Sequence, residues 1–160
     1  MEYECAFVAT DTWTGNTWVA DSGASTHIGN VDEGMYNVTE IDEPVKVSNG
    51  TRLRCVKKGT LPLTAIQTNG DTVDLILKDY KYAPGFQVNL FSLMKSIDCG
   101  WKISNKGPIL KLTTGKDTLC FDQIERTLDG VLCGVELATR IQEPTSQDCA
   151  FKCPRSVARA

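Results

Sequence analysis

The stretch Asn16-Thr-Trp-Val-Ala-Asp-Ser-Gly-Ala-Ser-Thr-His27 places an acid directly behind an apolar run. Trp18, Val19 and Ala20 read as the end of a buried or half-buried strand. Asp21 then points inward or stands at the mouth of a cleft. Carboxylates rarely occupy such places without an ionic or hydrogen-bonding partner. Two readings follow: an ordinary strand-to-turn exit, or a carboxylate for which the chain has arranged partners. Ser22-Gly23 suits a tight loop, because glycine lets two backbones approach closely and a serine hydroxyl both donates and accepts. Two such aspartates meeting across a symmetric interface cannot both ionise easily, and share one proton.

The composition is that of an ordinary globular domain: 160 residues, 41% hydrophobic and 23% charged, enough for one domain with a real core. A net charge of −3 offers no overall basic footprint, so no nucleic-acid partner is expected. No apolar run approaches membrane-span length, so no membrane partner is expected either. The opening MEYECAFVAT lacks the basic region and long apolar core of a signal peptide. The seven cysteines are scattered, with no Cys-x-x-Cys pair, and there is one histidine. This argues against a zinc site and for free thiols in a reducing compartment.

Strand signals dominate the chain. Val45–Val56 contains two β-prone runs around Asn49-Gly50, a hairpin signature. Thr60–Ile66 and Val73–Leu77 flank Asn69-Gly70 as a second hairpin, and Pro62 predicts an edge position or strand start. Tyr80–Ala83 runs into a Pro84-Gly85 turn, and Val88–Phe91 reads as a short buried strand. Ser92–Gly100 predicts a two-turn helix with Ser92 as N-cap, Leu93, Met94 and Ile97 facing the core, and Gly100 just past the end. Trp101–Ile103, Ile109–Leu112 and Leu119–Phe121 predict further strands; from Ala138 the pattern fades into a flexible tail or linker.

The segment WVADSGASTH resembles the active-site signature of retroviral-type aspartic proteases, and in particular the protease of copia-type retrotransposon Gag-Pol polyproteins. A second block, Lys78–Ile103 (KDYKYAPGFQVNLFSLMKSIDCGWKI), resembles that family's closing segment: an apolar strand, Pro-Gly, Asn-Leu-apolar-Ser, a short helix, then glycine and a strand. The Asn49-Gly50 hairpin lies between the blocks, where the family places its flap. Two features depart from the retroviral pattern. An acid just after the motif and an arginine at the helix start are replaced by Ser25 and the Ser92-Leu93 region. Losing both charges together leaves no orphan ion, but removes some contacts to substrate. The Ser48–Thr51 tip is also poorer in glycine than usual, implying a stiffer cover.

The resemblance implies a mainly β, retropepsin-like acid-protease barrel with one short helix, active as a homodimer. It divides the chain into an N-terminal extension (1–12), a protease domain (13–105), a C-terminal β extension (106–137) that joins the dimer or leads to a downstream integrase region, and a tail (138–160). Asp21 becomes the catalytic residue, Ser22, Gly23 and Ala24 the active-site loop, and Ser25, Val47, Ser48, Asn49, Gly50, Thr51 and Leu90 the substrate-binding set. No metal or cofactor is implied. The implied substrate is the element's own polyprotein, cut in the cytoplasm within its virus-like particles. The alternative is an inactive, protease-like binding or assembly module.

An exposed Asp-Ser-Gly docking peptide conflicts with the burial expected of Trp18-Val19. Ser22 and Ser25 lack an evident base that would make either a nucleophile. His27 is expected to serve structure by hydrogen bonding, since an aspartate pair needs no histidine.

Overall fold

A computed structural model describes residues 3–5, 16–47, 52–128 and 130–140. The chain forms a nine-stranded mixed sheet, a separate three-stranded sheet and one short helix. In chain order the strands are β1 (Tyr3–Cys5), β2 (Thr17–Asp21), β3 (Ile28–Gly29), β4 (Tyr36–Val47), β5 (Arg52–Ile66), β6 (Thr72–Tyr82) and β7 (Asn89–Ser92). Helix α1 (Leu93–Asp98) follows, then β8 (Lys102–Lys106), β9 (Ile109–Thr113), β10 (Thr118–Phe121), β11 (Gln123–Thr127) and β12 (Gly130–Thr139).

The two predicted hairpins form. β4 pairs antiparallel with β5, and β5 with β6 around Asn69-Gly70; the tip of the first, Ser48–Thr51, lies outside the described residues. Pro62 is not on an edge strand. It lies inside β5, in register with Ile76 of β6. The sheet tolerates it because the other side of β5 changes partner there: β4 ends at Thr60 and β12 begins at Leu63. The Pro62 carbonyl accepts from Arg140 N at 3.3 Å on that side, so the missing N–H falls in the gap between two neighbours.

β2 is short and buried on both faces, as its apolar run requires, and its two edges pair with β7 and β12. Alternation sends Trp18 into the larger core with Tyr80, Phe91, Trp101 and Phe121, while Val19 enters a second core with Ile28, Val45, Cys55, Phe86 and Leu90. The second core packs the root of the β4–β5 hairpin onto the strands that lead to Asp21.

Several divisions drawn from the sequence need correction. Gly134–Glu136 pair with Thr17–Val19, and Glu136–Thr139 pair with Leu63–Ile66. Residues beyond 105 therefore build the same sheet as the motif, and the strand runs past 137 to Thr139. β1 likewise pairs with the end of β4, so 1–12 is not wholly an appendage. The helix has its expected cap, Ser92 Oγ accepting from Lys95 N, and Gly100 has a φ of 95°. Yet Met94 and Ile97 are exposed; Leu93 and Ser96 face inward, because Ser96 Oγ is tied to Ser92 O and Ser92 itself is fixed to the loop. Cys55, Cys120 and Cys133 are free thiols, but Cys99 is disulfide-bonded, against the reading of all seven as free.

Gly29 has no room for a side chain. A Cβ there would stand 2.3 Å from Asn89 Oδ1 and 3.0 Å from the Tyr80 hydroxyl. Both partners are buried and engaged: Asn89 Oδ1 accepts from Asn30 N, and the Tyr80 hydroxyl donates to Val31 O at 2.7 Å. Gly29→Ala should therefore destabilise the fold by about 1–3 kcal/mol. Equilibrium denaturant unfolding measures this, and an unchanged midpoint would show that β3 shifts freely.

Candidate functional site around Asp21

Asp21 is the last residue of β2 and lies in register with Ser92, the last residue of β7, across a parallel pair. It shares a face of β2 with Val19, the face turned to the hairpin root. Its carboxylate is buried, 7% exposed, and Oδ1 accepts from the Gly23 amide at 2.6 Å. That is an Asx-type bond two residues ahead, which curls the chain directly after the strand. Ser22, Gly23 and Ser25 are exposed, whereas Ala24 is buried. The loop thus holds the acid inside and presents its small residues outward.

Three contacts anchor the loop behind Asp21. Ser92 Oγ donates to the Ala24 carbonyl at 2.7 Å. The Ser92 amide donates to His27 Nδ1 at 2.9 Å. Thr26 Oγ1 donates to the Asp79 carbonyl at 2.8 Å. Downstream, Lys81 N and Ala83 N donate to the His27 and Gly29 carbonyls, which seats β3 on β6. Asp79 adopts a left-handed φ of 58° and receives the Lys95 ammonium at 3.0 Å. Burial works to raise the Asp79 carboxyl, but the hydrogen bond and charge of Lys95, with Lys58 and Lys78, outweigh it and hold it below the usual range.

His27 is fully enclosed and packs against Phe91, with ring centroids 4.7 Å apart and the planes tilted by 53°. Burial lowers its pKa to about 3, and the nearby Lys95 charge adds to the effect. Because Nδ1 accepts the Ser92 amide proton, the neutral ring carries its proton on Nε2. His27 is thus a fixed acceptor that sets loop geometry, in line with its expected structural role.

The predicted site residues divide. Asp21, Ser22, Gly23, Ala24 and Ser25 form one continuous loop. Val47 is the last residue of β4; Ser48, Asn49, Gly50 and Thr51 lie outside the described residues. Leu90 is a correction. It is 1% exposed, packed in the second core opposite Val19, and has no surface to offer a peptide. Sequence reading missed the anchoring roles of Ser92, Thr26, Asp79 and Lys95. The N-cap position of Ser92 was visible, but its bonds to Ala24 and His27 join residues far apart in sequence. A groove of about 380 Å³ between β4, β5 and β6, lined by Asn37, Glu43, Lys58, Lys78 and Asp79 among others, does not include Asp21. Among the described residues no cluster of three or more His, Cys, Asp or Glu is placed to hold a metal ion.

A family model described as the Pol polyprotein β-barrel domain matches residues 18–101, from Trp18 in β2 to Trp101 after the helix. The chain belongs to this family. It is thus a mainly β region of a retroelement Pol polyprotein. The matched span of this Pol domain contains the Asp21 loop, both hairpins and α1. It omits β11 and β12, the latter flanking β2. No curated protein and no solved structure matches the chain.

The buried His27 makes a prediction about pH. Its folded pKa lies near 3, below the ordinary 6.5, so between these values the unfolded chain binds the extra proton. Stability from this group is complete above about pH 6.5 and is lost as pH falls toward 3, on the order of 5 kcal/mol in all. His27→Asn, which keeps an acceptor near the Nδ1 position, should show a shallower decline in unfolding free energy across that window. Parallel curves for the two proteins would mean that His27 titrates normally in the fold.

Proposed function

We propose that this Pol β-barrel domain is an aspartic endopeptidase of retropepsin type, from a copia-type element, that cuts its own polyprotein. The observation that carries the reading is Asp21: a buried carboxylate at a strand end, held by the Gly23 amide, in a loop pinned from behind and exposed at its tip. The described structure has one Asp-Ser-Gly loop, whereas the chemistry uses two carboxylates. A C2 homodimer supplies the second, with the outward Ser22 and Gly23 meeting their counterparts near the axis.

In the dimer one Asp21 carboxylate is ionised and the other holds the shared proton. The ionised group takes a proton from a bound water, whose oxygen attacks the scissile carbonyl carbon. The protonated carboxyl donates to the carbonyl oxygen and stabilises the charge that develops there. The substrate lies as an extended strand between the loops and residues 47–53 of the hairpin, with alternate side chains in pockets. Closure of the hairpin excludes water from the reacting centre. This activity would operate in the cytoplasm, inside the element's particles.

Asp21→Asn should abolish cleavage of a precursor that contains the flanking polyprotein, with an unchanged unfolding midpoint. Processing at the wild-type rate would remove the peptidase reading and leave a binding or assembly module. Activity per molecule should also fall on dilution in step with the dimer fraction measured by sedimentation. Constant specific activity in fully monomeric protein would contradict a shared site.

A further inference from the structure

Cys99, the residue that closes α1, is disulfide-bonded and 7% exposed, whereas Cys55, Cys120 and Cys133 are free thiols. Its partner is therefore one of the remaining three, Cys5, Cys149 and Cys153. A disulfide requires Cα atoms within about 7 Å of each other. Cys99 belongs to the larger core, with Leu93, Trp101 and Leu112. β1 sets Cys5 beside Val47, at the tip end of the β4–β5 hairpin, whose root belongs to the second core. The chain leaves β12 at the larger core instead. Arg140 N donates to the Pro62 carbonyl and its guanidinium to the Leu75 carbonyl, and Leu61, Leu63 and Leu75 share that core with Cys99. From Arg140, nine residues lead to Cys149 and thirteen to Cys153, an extended reach of roughly 30 and 40 Å. A domain of this size has a radius of gyration of about 15 Å, so either tail cysteine can span the distance.

The position of such a bridge bears on Asp21. β2 pairs with β7 on one edge and β12 on the other. Helix α1 continues β7, and the tail continues β12. A bridge from Cys99 to the tail therefore joins the two elements that flank the strand ending in Asp21. It also closes β8 to β12 into one covalent loop of about 50 residues. Both elements support the site. Ser92, at the start of α1, holds the Ala24 carbonyl and the His27 ring. β12 supplies the partners of Thr17, Trp18 and Val19.

We propose that residues 141–160 carry a thiol-controlled latch, in which Cys149 or Cys153 bridges to Cys99 and fastens β12 to α1 on either side of β2. Closing the latch forms one S–S bond from two thiols. The two protons and two electrons released pass to an oxidised small-molecule disulfide, such as oxidised glutathione, which becomes two thiols. Opening is the reverse exchange, with reduced thiols as the donors. Closed, the latch restricts the unfolded chain and keeps the two flanking elements from parting. Open, β12 is held by its ladders with β2, β5 and β11 alone. The firmness of the support behind Asp21 then follows the thiol state of the surroundings. The latch stands apart from the peptidase reading and needs no activity for its test.

The test equilibrates the whole chain with oxidised glutathione, blocks free thiols by alkylation and digests with trypsin without reduction. Trypsin places each cysteine in its own peptide: Cys99 in 96–102, Cys149 in 141–152, Cys153 in 153–155 and Cys5 in 1–46. Mass spectrometry should find peptide 96–102 linked to one of the two tail peptides. Reduction should lower the thermal midpoint by roughly 5–15 °C and speed amide exchange in β2 at least about tenfold. Cys149→Ser combined with Cys153→Ser leaves Cys99 and the core in place. This variant should melt like the reduced chain and show no further drop on reduction, whereas Cys120→Ser should keep the full shift. An unlinked peptide 96–102, or its linkage to 1–46, would overturn the proposal. So would an unchanged midpoint on reduction, or the same drop in the double-serine variant.

Discussion

The structure around Asp21 depends on the pairing of β2 with β7, in which Asp21 and Ser92 lie side by side at the ends of two parallel strands. Parallel neighbours leave their strand ends at the same edge, so the acid and the start of the helix emerge together. Ser92 then does three things at once. Its hydroxyl caps α1, the same hydroxyl donates to Ala24 in the loop, and its amide donates to His27 at the loop's far end. Strand, loop and helix are thereby fixed by one residue with 0% exposure. Such a site is built from the backbone outward, with little dependence on long flexible side chains.

The same arrangement sets two demands against each other. Proton sharing between two aspartates, as proposed for the dimer, benefits from mildly acidic solution. The neutral His27 beneath the loop is most secure in neutral solution, because burial disfavours its charged form. The ion pairs at the hairpin base and helix, Lys81 with Glu43 and Lys95 with Asp79, also need ionised carboxylates; the hydrogen bond from Lys81 holds Glu43 below its ordinary range. Chemistry and scaffold therefore meet only in a middle range of pH, where the carboxylates are charged and the imidazole is not.

Much of the local structure was legible in the sequence. The apolar run before Asp21, the Asn69-Gly70 turn, and Ser92 and Gly100 at the ends of the helix are short-range signals, and each formed as expected. What the sequence concealed was set by distant partners. Pro62 reads as an edge residue, whereas its tolerance inside β5 depends on where β4 stops and β12 starts. Leu90 reads as a substrate contact, whereas its burial comes from packing on Val19 and Ile28. Met94 and Ile97 read as core by apolarity alone, while the rotation of the six-residue helix is set by hydrogen bonds of Ser92 and Ser96. β11 and β12 carried weak patterns because Gly130 and Gly134 interrupt them and their faces are only partly buried.

β12 pairs with both β2 and β5, although more than a hundred residues separate Thr17 from Glu136. On a ribosome, β2 and its aspartate emerge first and wait without one neighbour until β12 follows. Until β12 is made, the strand behind Asp21 exposes an unpaired edge, and the loop ahead of it has an incomplete foundation. The order of synthesis thus delays assembly of the site until residue 139 has cleared the exit tunnel. A nascent polyprotein would carry its Asp-Ser-Gly loop through that interval without the completed sheet that supports it.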